Sequence, residues 1–275
     1  MTETIRPIDA RTDARGEPCW TSTATTPDNS LAQCTIMPDK VIPVIFVPGI
    51  MGSNLQNTKN KKPVWLLNSL LSPLGWLFKG EKTRYKLLSP DATEIFDAGA
   101  TESHPTLTEE ERQKRGWGEV SNMSYGKYLV ELDVMLNDFA SANTNSDKRK
   151  LLIDLALHDK DNVLTEDEVA ASWRYAMPVH ACGYNWLQSN KDSGIRLAAR
   201  IDEIIKLYSN KRHCDQVILI THSMGGLVVR SALATSNIES KVVGIIHGVM
   251  PDIGAPAVYC RMKAGTEVRG SWLEG

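Results

Sequence analysis

The sequence predicts an α/β fold: a mostly parallel sheet with helices on both faces and a large insertion that caps it. Three observations carry this. Short β-branched runs recur along the chain, bounded by Gly/Pro turns or helical stripes. The runs are apolar throughout instead of alternating, so both faces of the sheet are covered. Strand and helix signals alternate through residues 177–250, the order that right-handed crossovers between parallel strands produce.

The elements follow in chain order. Residues 1–40 are rich in Thr, Asp, Pro and Arg without periodicity and read as a disordered N-terminal arm. Residues 41–275 form the folded domain. "VIPVIFV" at 41–47 is a buried strand ended by Pro48-Gly49. Residues 52–175 are too long for a connection and are expected to hold helices that form the cap. "MPVHACGY" at 177–184 is a second, weaker strand. "SGIRLAARIDEIIKLY" then places Ile195, Ala198, Ile201, Ile205 and Tyr208 on one helical stripe, with Asp192 or Ser193 as its cap. "QVILI" is a third strand, "MGGLVVRSALA" a helix despite its glycines, and "KVVGIIHGVM" a fourth strand.

With 275 residues, 42% of them hydrophobic, the chain can bury a sizeable core. Its 31 basic and 33 acidic residues leave a net charge of −2, so there is no basic field to hold nucleic acid. The five cysteines are scattered without metal-ligand spacing and read as mostly reduced thiols; a Cys19–Cys34 disulfide is the alternative for an exported protein. The N-terminus lacks the apolar core of a signal peptide, which fits synthesis in the cytoplasm. No run reaches the ~20 apolar residues of a membrane span. The reading requires no metal and no cofactor.

The chemistry concentrates at "VILITHSMGGLVV", residues 217–229. A serine hydroxyl is a weak nucleophile; it needs exposure, a base and donors for the developing oxyanion. A tight strand-to-helix turn supplies the exposure, and small residues flanking the serine let the turn close. Ser223 sits at such a turn, followed by Gly225 and Gly226, with Thr221 where glycine is usual. The first oxyanion donor would be the N–H of Met224, at the start of the helix. The second would be the N–H of Met51, in the loop Pro48-Gly49-Ile50-Met51-Gly52 after the first strand. Gly49 and Ile50 would then border the substrate. Otherwise the loop glycines only shape a turn.

"VPGIMGSNL", "GYNWLQSN" and "THSMGGLVVR" together resemble the α/β-hydrolases related to lecithin–cholesterol acyltransferase and GPI inositol-deacylase. Within that group the chain looks most like the bacterial phospholipase effectors of type VI secretion. Tyr184-Asn185-Trp186 is similar to the Tyr-Asp-Trp that follows a strand in the acyltransferase, with Asn in place of Asp. The resemblance implies an α/β-hydrolase fold and a carboxylic-ester lipase acting on membrane phospholipids. It also implies a toxin delivered by a contact-dependent machine into rival cells and neutralised by an immunity protein.

Three substrate-side features accompany the motif. "VWLLNSLLSPLGWLF" at 64–78 suits either a lipid-docking surface or a buried part of the cap. Tyr184 and Trp186 follow a strand and either wall the pocket or pack. "DKDNVLTEDE" at 159–168 fails the register of a calcium loop, and a capping box from Thr165 to Glu168 explains its acids better.

The base is the weak point. After Ser223 the sequence offers one histidine, His247, and Asp252 as an acid after a strand end. His247 falls in a strand, whereas the base of this fold normally arrives on a later loop. His222 adjoins the serine and is expected to point away, into the sheet. A C-terminally truncated chain is therefore expected, with nucleophile and oxyanion hole but no base. The functional readings are a serine lipase or phospholipase, an acyltransferase using the same acyl-enzyme, and an inactive relative that binds lipid or an immunity protein.

Overall fold

The computed structural model describes residues 5–8, 10–12, 18–20, 31–34, 38–67, 80–137 and 164–264. At its centre lie four parallel strands: β1 (Val44–Val47), β2 (Val179–Ala181), β3 (Val217–His222) and β4 (Val242–Gly248), in spatial order β2-β1-β3-β4. Each extended run predicted a strand; β1, β2 and β4 lie inside their runs, while β3 continues past "QVILI" through Thr221 and His222. Ile45 of β1 pairs with His180 of β2 on one side and Leu219 of β3 on the other.

All four residues of β1 are buried, because its two faces meet different helical layers. Ile45 and Val47 pack with Leu219 of β3 against α2 (Asn190–Ser209) and α3 (Gly225–Ser236), whose Leu197, Ile201, Val228 and Ala232 are buried there. Val44 and Phe46 face Leu129 of α1 (Asn122–Asn137), together with Trp117 and Val120. Emptying such a site, as in Ile201→Ala, costs about 2–5 kcal/mol. Helices α2 and α3 meet closely at Gly194 of α2: a Cβ there would lie 2.8 Å from the backbone nitrogen of Ala232. Any larger residue would push α2 and α3 apart.

Helix α2 is capped neither by Asp192 nor by Ser193. Ser189 is the cap; its Oγ accepts from the Asp192 N–H at 3.1 Å and donates to the Asp192 carboxylate at 2.7 Å. The helix therefore starts earlier than its apolar stripe. That stripe is also rotated: Ile204 is buried while Ile195 is 52% exposed.

The insertion differs from a simple cap. Its helix α1 is itself one of the two layers covering the sheet. It also carries a three-stranded antiparallel sheet, with Leu55–Asn57 between Pro63–Trp65 and Thr93–Ile95. Three-residue strands are too short to display an alternating pattern. Thr165 and Glu168 form the expected capping box at the helix Glu166–Ser172. The N-terminal arm is not structureless: Ile5–Ile8 pairs in parallel with Leu31–Cys34, and Ala10–Thr12 antiparallel with Pro18–Trp20. Pro and Thr hide such short pairings from a composition-based reading. The Cys34 side chain lies outside the described residues.

A buried charge cluster fixes α1 to the sheet. Asp133 accepts from Arg115 Nη1 and from the Val179 N–H, each at 2.9 Å. His104 Nε2 lies 3.3 Å from the second carboxylate oxygen. His104 Nδ1 accepts the N–H groups of Thr106 and Leu107, so its proton is on Nε2, facing Asp133. Burial works against this carboxylate, but the Arg115 guanidinium, the His104 Nε2 beside it and the Val179 N–H bond outweigh it and hold the acid below its ordinary pKa. Among the described residues, no helix is long and apolar enough to cross a membrane.

Candidate active site

The strand order changes direction at β1, so the crevice at the carboxyl ends of β1 and β3 is where an open α/β sheet takes ligands. Ser223 stands at one lip of it, immediately after β3, and the loop from Pro48 stands at the other, after β1. Ser223 has φ +49°, the left-handed conformation that a non-glycine residue adopts only where its surroundings impose it. Its N–H donates to the Gly248 carbonyl at 2.8 Å, and its carbonyl accepts from the Gly226 N–H at 3.0 Å. The turn is thereby tied to β4 and to α3. Among the described residues, none is hydrogen-bonded to the Ser223 hydroxyl.

The glycine after Met224 is required by a close approach. A Cβ on Gly225 would lie 2.5 Å from the carbonyl oxygens of both Val47 and Pro48. The end of β1 can reach the serine turn only because that atom is missing. Thr221 fits without strain because it still belongs to β3; it is buried, and its Oγ1 lies 2.8 Å from His247 Nδ1.

The loop after β1 is a turn from Gly49 to Gly52, closed by the Gly52 N–H on the Gly49 carbonyl at 3.0 Å. Met51 occupies its third position at φ +61°, as a type II turn requires. Ile50 and Met51 are 55% and 41% exposed, and neither N–H has a partner among the described residues. The Met224 N–H, at the positive end of α3, is equally unengaged among them. The loop approaches the serine at Gly49, where an added Cβ would lie 3.2 Å from Ser223 Cβ.

The loop is held from below. Trp65 Nε1 donates to the Met51 carbonyl at 2.8 Å, and Trp186 Nε1 to the Ser53 carbonyl at 3.2 Å. The two indoles meet edge to face, with centroids 5.4 Å apart. From α1, the Tyr125 Oη accepts the Gly49 N–H at 3.2 Å and lies 3.0 Å from His222 Nδ1. Sequence reasoning missed Tyr125 altogether; nothing in "NMSYGKY" distinguishes it from other insertion aromatics.

Several expected residues have other surroundings. Tyr184 does not wall a pocket: it is 1% exposed in the core between the sheet and α2, where burial raises its phenol pKa. Asn185 joins two layers instead, its amide donating to the Thr93 carbonyl at 2.9 Å. Trp65 is buried and faces no lipid, while residues 68–78, with Trp76, lie outside the described residues. His222 does not enter the sheet. It is exposed, and its ring lies against Gly49, where an added Cβ would meet Nδ1 at 2.8 Å. Its Nδ1 lies 3.0 Å from the Tyr125 Oη of α1. His247 is held by Thr221 instead of by Ser223, and Asp252 is exposed in the turn after β4. His180 is buried beside Tyr208 Oη at 2.8 Å, and burial holds its imidazole well below the ordinary pKa.

An apolar cavity of about 210 Å³ lies between α1 and the helix Glu166–Ser172, lined by Leu132, Met135, Leu136, Val169 and Met177. Met177 precedes β2, so this cavity is at the amino end of the strands, opposite Ser223. Among the described residues, no group of three His, Cys, Asp or Glu side chains could hold a metal ion.

Residues 194–262 match the family described as the PGAP1-like alpha/beta domain. That segment contains β3, the serine turn, α3 and β4. A solved structure titled "The crystal structure of Tle4-Tli4 complex" is similar to 82% of this chain at 31% sequence identity and a TM-score of 0.72. The match covers 48% of that chain, so this chain spans about half the length of its structural relative. No curated protein sequence matches the chain significantly.

Proposed function

Starting from a chain that has the α/β-hydrolase fold, we propose that it carries the nucleophile and oxyanion hole of a serine lipase acting on carboxylic esters of membrane lipids. The observation that carries the reading is Ser223 at φ +49° in the turn after β3, next to a loop that approaches it at Gly49 and whose Met51 N–H, like that of Met224, is unengaged among the described residues. In this reading Ser223 Oγ attacks the ester carbonyl and gives up its proton to a base. The carbonyl oxygen becomes an oxyanion between the two N–H groups, each donor contributing on the order of 3 kcal/mol to the barrier. The alcohol then leaves with a proton, and water releases the fatty acid from the acyl-serine. Gly49 and Ile50 border the acyl carbonyl. Asp252 and His247 are the acid and base candidates that this chain contains, and the hydrogen bond between His247 and Thr221 favours a base from outside the described residues.

The likeness to one member of a two-protein complex supports an effector role. The protein would be made in the cytoplasm, delivered into a target cell and bound by an immunity protein. Transfer of the acyl group to an alcohol differs only in what reaches the acyl-enzyme. A fluorophosphonate probe tests the reading: labelling confined to Ser223 supports an activated serine, and an unlabelled Ser223 leaves a chain that only binds lipid or protein. Product analysis with added alcohol then separates hydrolysis from transfer.

A further inference from the structure

We infer that Tyr125 is a positioning residue of the oxyanion loop, acting through the Gly49 N–H; this rests on the acyl-enzyme reading of Ser223. The loop Gly49–Gly52 wraps around the Tyr125 phenol. Gly49 donates to Oη at 3.2 Å, and a Cβ on Gly52 would meet the same oxygen at 2.8 Å and ring carbon Cε2 at 2.9 Å. Both ends of the turn are therefore shaped to this one ring. The ring itself is fixed, tilted against Phe46 of β1 with centroids 4.9 Å apart.

The pattern of bonds gives the clamp its purpose. The peptide entering Gly49 is tied to Tyr125, the peptide leaving Met51 is tied to Trp65, and the Gly49 carbonyl closes the turn onto Gly52. Between these ties, the Ile50–Met51 peptide alone carries the proposed oxyanion donor. Its N–H can hold one direction only while its neighbours are held, and Met51 at φ +61° reverts to ordinary backbone when they are released. Tyr125 also lies 3.0 Å from His222 Nδ1, so the residue preceding the nucleophile and the oxyanion loop share one hydroxyl. Burial raises the Tyr125 pKa, which keeps that hydroxyl protonated at neutral pH. The hydroxyl comes from α1, so the insertion is coupled to the site.

Tyr125→Phe removes the oxygen and leaves the ring. Two readouts on the 275-residue chain test the role: hydrogen exchange of the Gly49 amide by NMR, and the rate of fluorophosphonate capture at Ser223. Tyr128→Phe is the control, because Tyr128 also packs on Phe46, at 5.4 Å, from the same helix. Tyr125→Phe is expected to raise Gly49 exchange about tenfold and slow capture by a similar factor, with core amides unchanged. The control is expected to change neither. Unchanged Gly49 exchange, or unchanged capture in a chain whose wild type is captured, would overturn the inference. Raised exchange in a chain whose wild-type Ser223 is never captured would instead reject an activated serine within residues 1–275 and leave the Tyr125 clamp standing.

Discussion

Trp65 Nε1 donates to the carbonyl oxygen of Met51 at 2.8 Å, which makes a tryptophan of the apolar stretch at 64–78 a support of the proposed oxyanion loop. At 7% exposure it has no surface to offer a bilayer. Trp65→Phe keeps an aromatic ring against Trp186 and deletes the donor. Thermal unfolding should show a loss of about 1 kcal/mol, the net value of such a bond. Ester turnover should fall with it, while binding to phospholipid vesicles stays the same. Vesicle binding lost at unchanged stability would return Trp65 to the membrane.

Ser223→Ala should abolish hydrolysis by the active enzyme, with a loss on the order of 10⁶-fold. The fold should survive, because the turn is held by main-chain bonds to Gly248 and Gly226 that alanine can also make. A variant with substantial residual turnover would remove Ser223 from the mechanism.

How far the sequence could be read depended on what each residue contacts. The four core strands were legible because residues such as Ile45 and Phe46 are buried on opposite faces, which forces continuous apolar runs. The turn at Ser223 was legible because Gly225 has no room for a side chain. Tyr125 was not, because its role depends on a helix arriving from far along the chain. The three-residue strands around Leu55 lacked a readable period. Tyr184 carries the right residue type beside the right strand, yet points into the core.

Asp133→Asn should destabilise the fold by about 3–5 kcal/mol, because Arg115 is left as a buried, uncompensated charge. The effect is pH-dependent. The folded-state pKa of Asp133 is lowered, so its contribution is complete above the unfolded value near ~3.9 and disappears as pH falls through the folded value. Unfolding midpoints of wild type and variant should therefore converge in strong acid and stay apart at neutral pH. A constant gap across that range would mean that the loss comes from packing.

Residues 1–275 should hydrolyse a soluble ester poorly, and His247→Ala should leave that residual rate unchanged. A general base must come within about 2.6–3.2 Å of the serine hydroxyl. His247 Nδ1 is instead 2.8 Å from Thr221 Oγ1, and a Cβ on Gly226 would meet it at 3.0 Å, so its ring lies beside the first turn of α3. His222 is turned to Tyr125, His180 to Tyr208, and His104 to the amides of Thr106 and Leu107. His213 precedes β3, at the opposite end of the strand from Ser223, and His158 lies outside the described residues. Without a base the serine keeps its proton, and only the oxyanion donors remain, worth some 10³–10⁴-fold over water in a hydrolase stripped of its triad. Turnover of p-nitrophenyl butyrate by the purified chain measures this directly. Thr221→Val would release His247 and should leave the low rate as it is. Robust turnover lost on His247→Ala would make His247 the base, swung from Thr221 to Ser223 in the working enzyme.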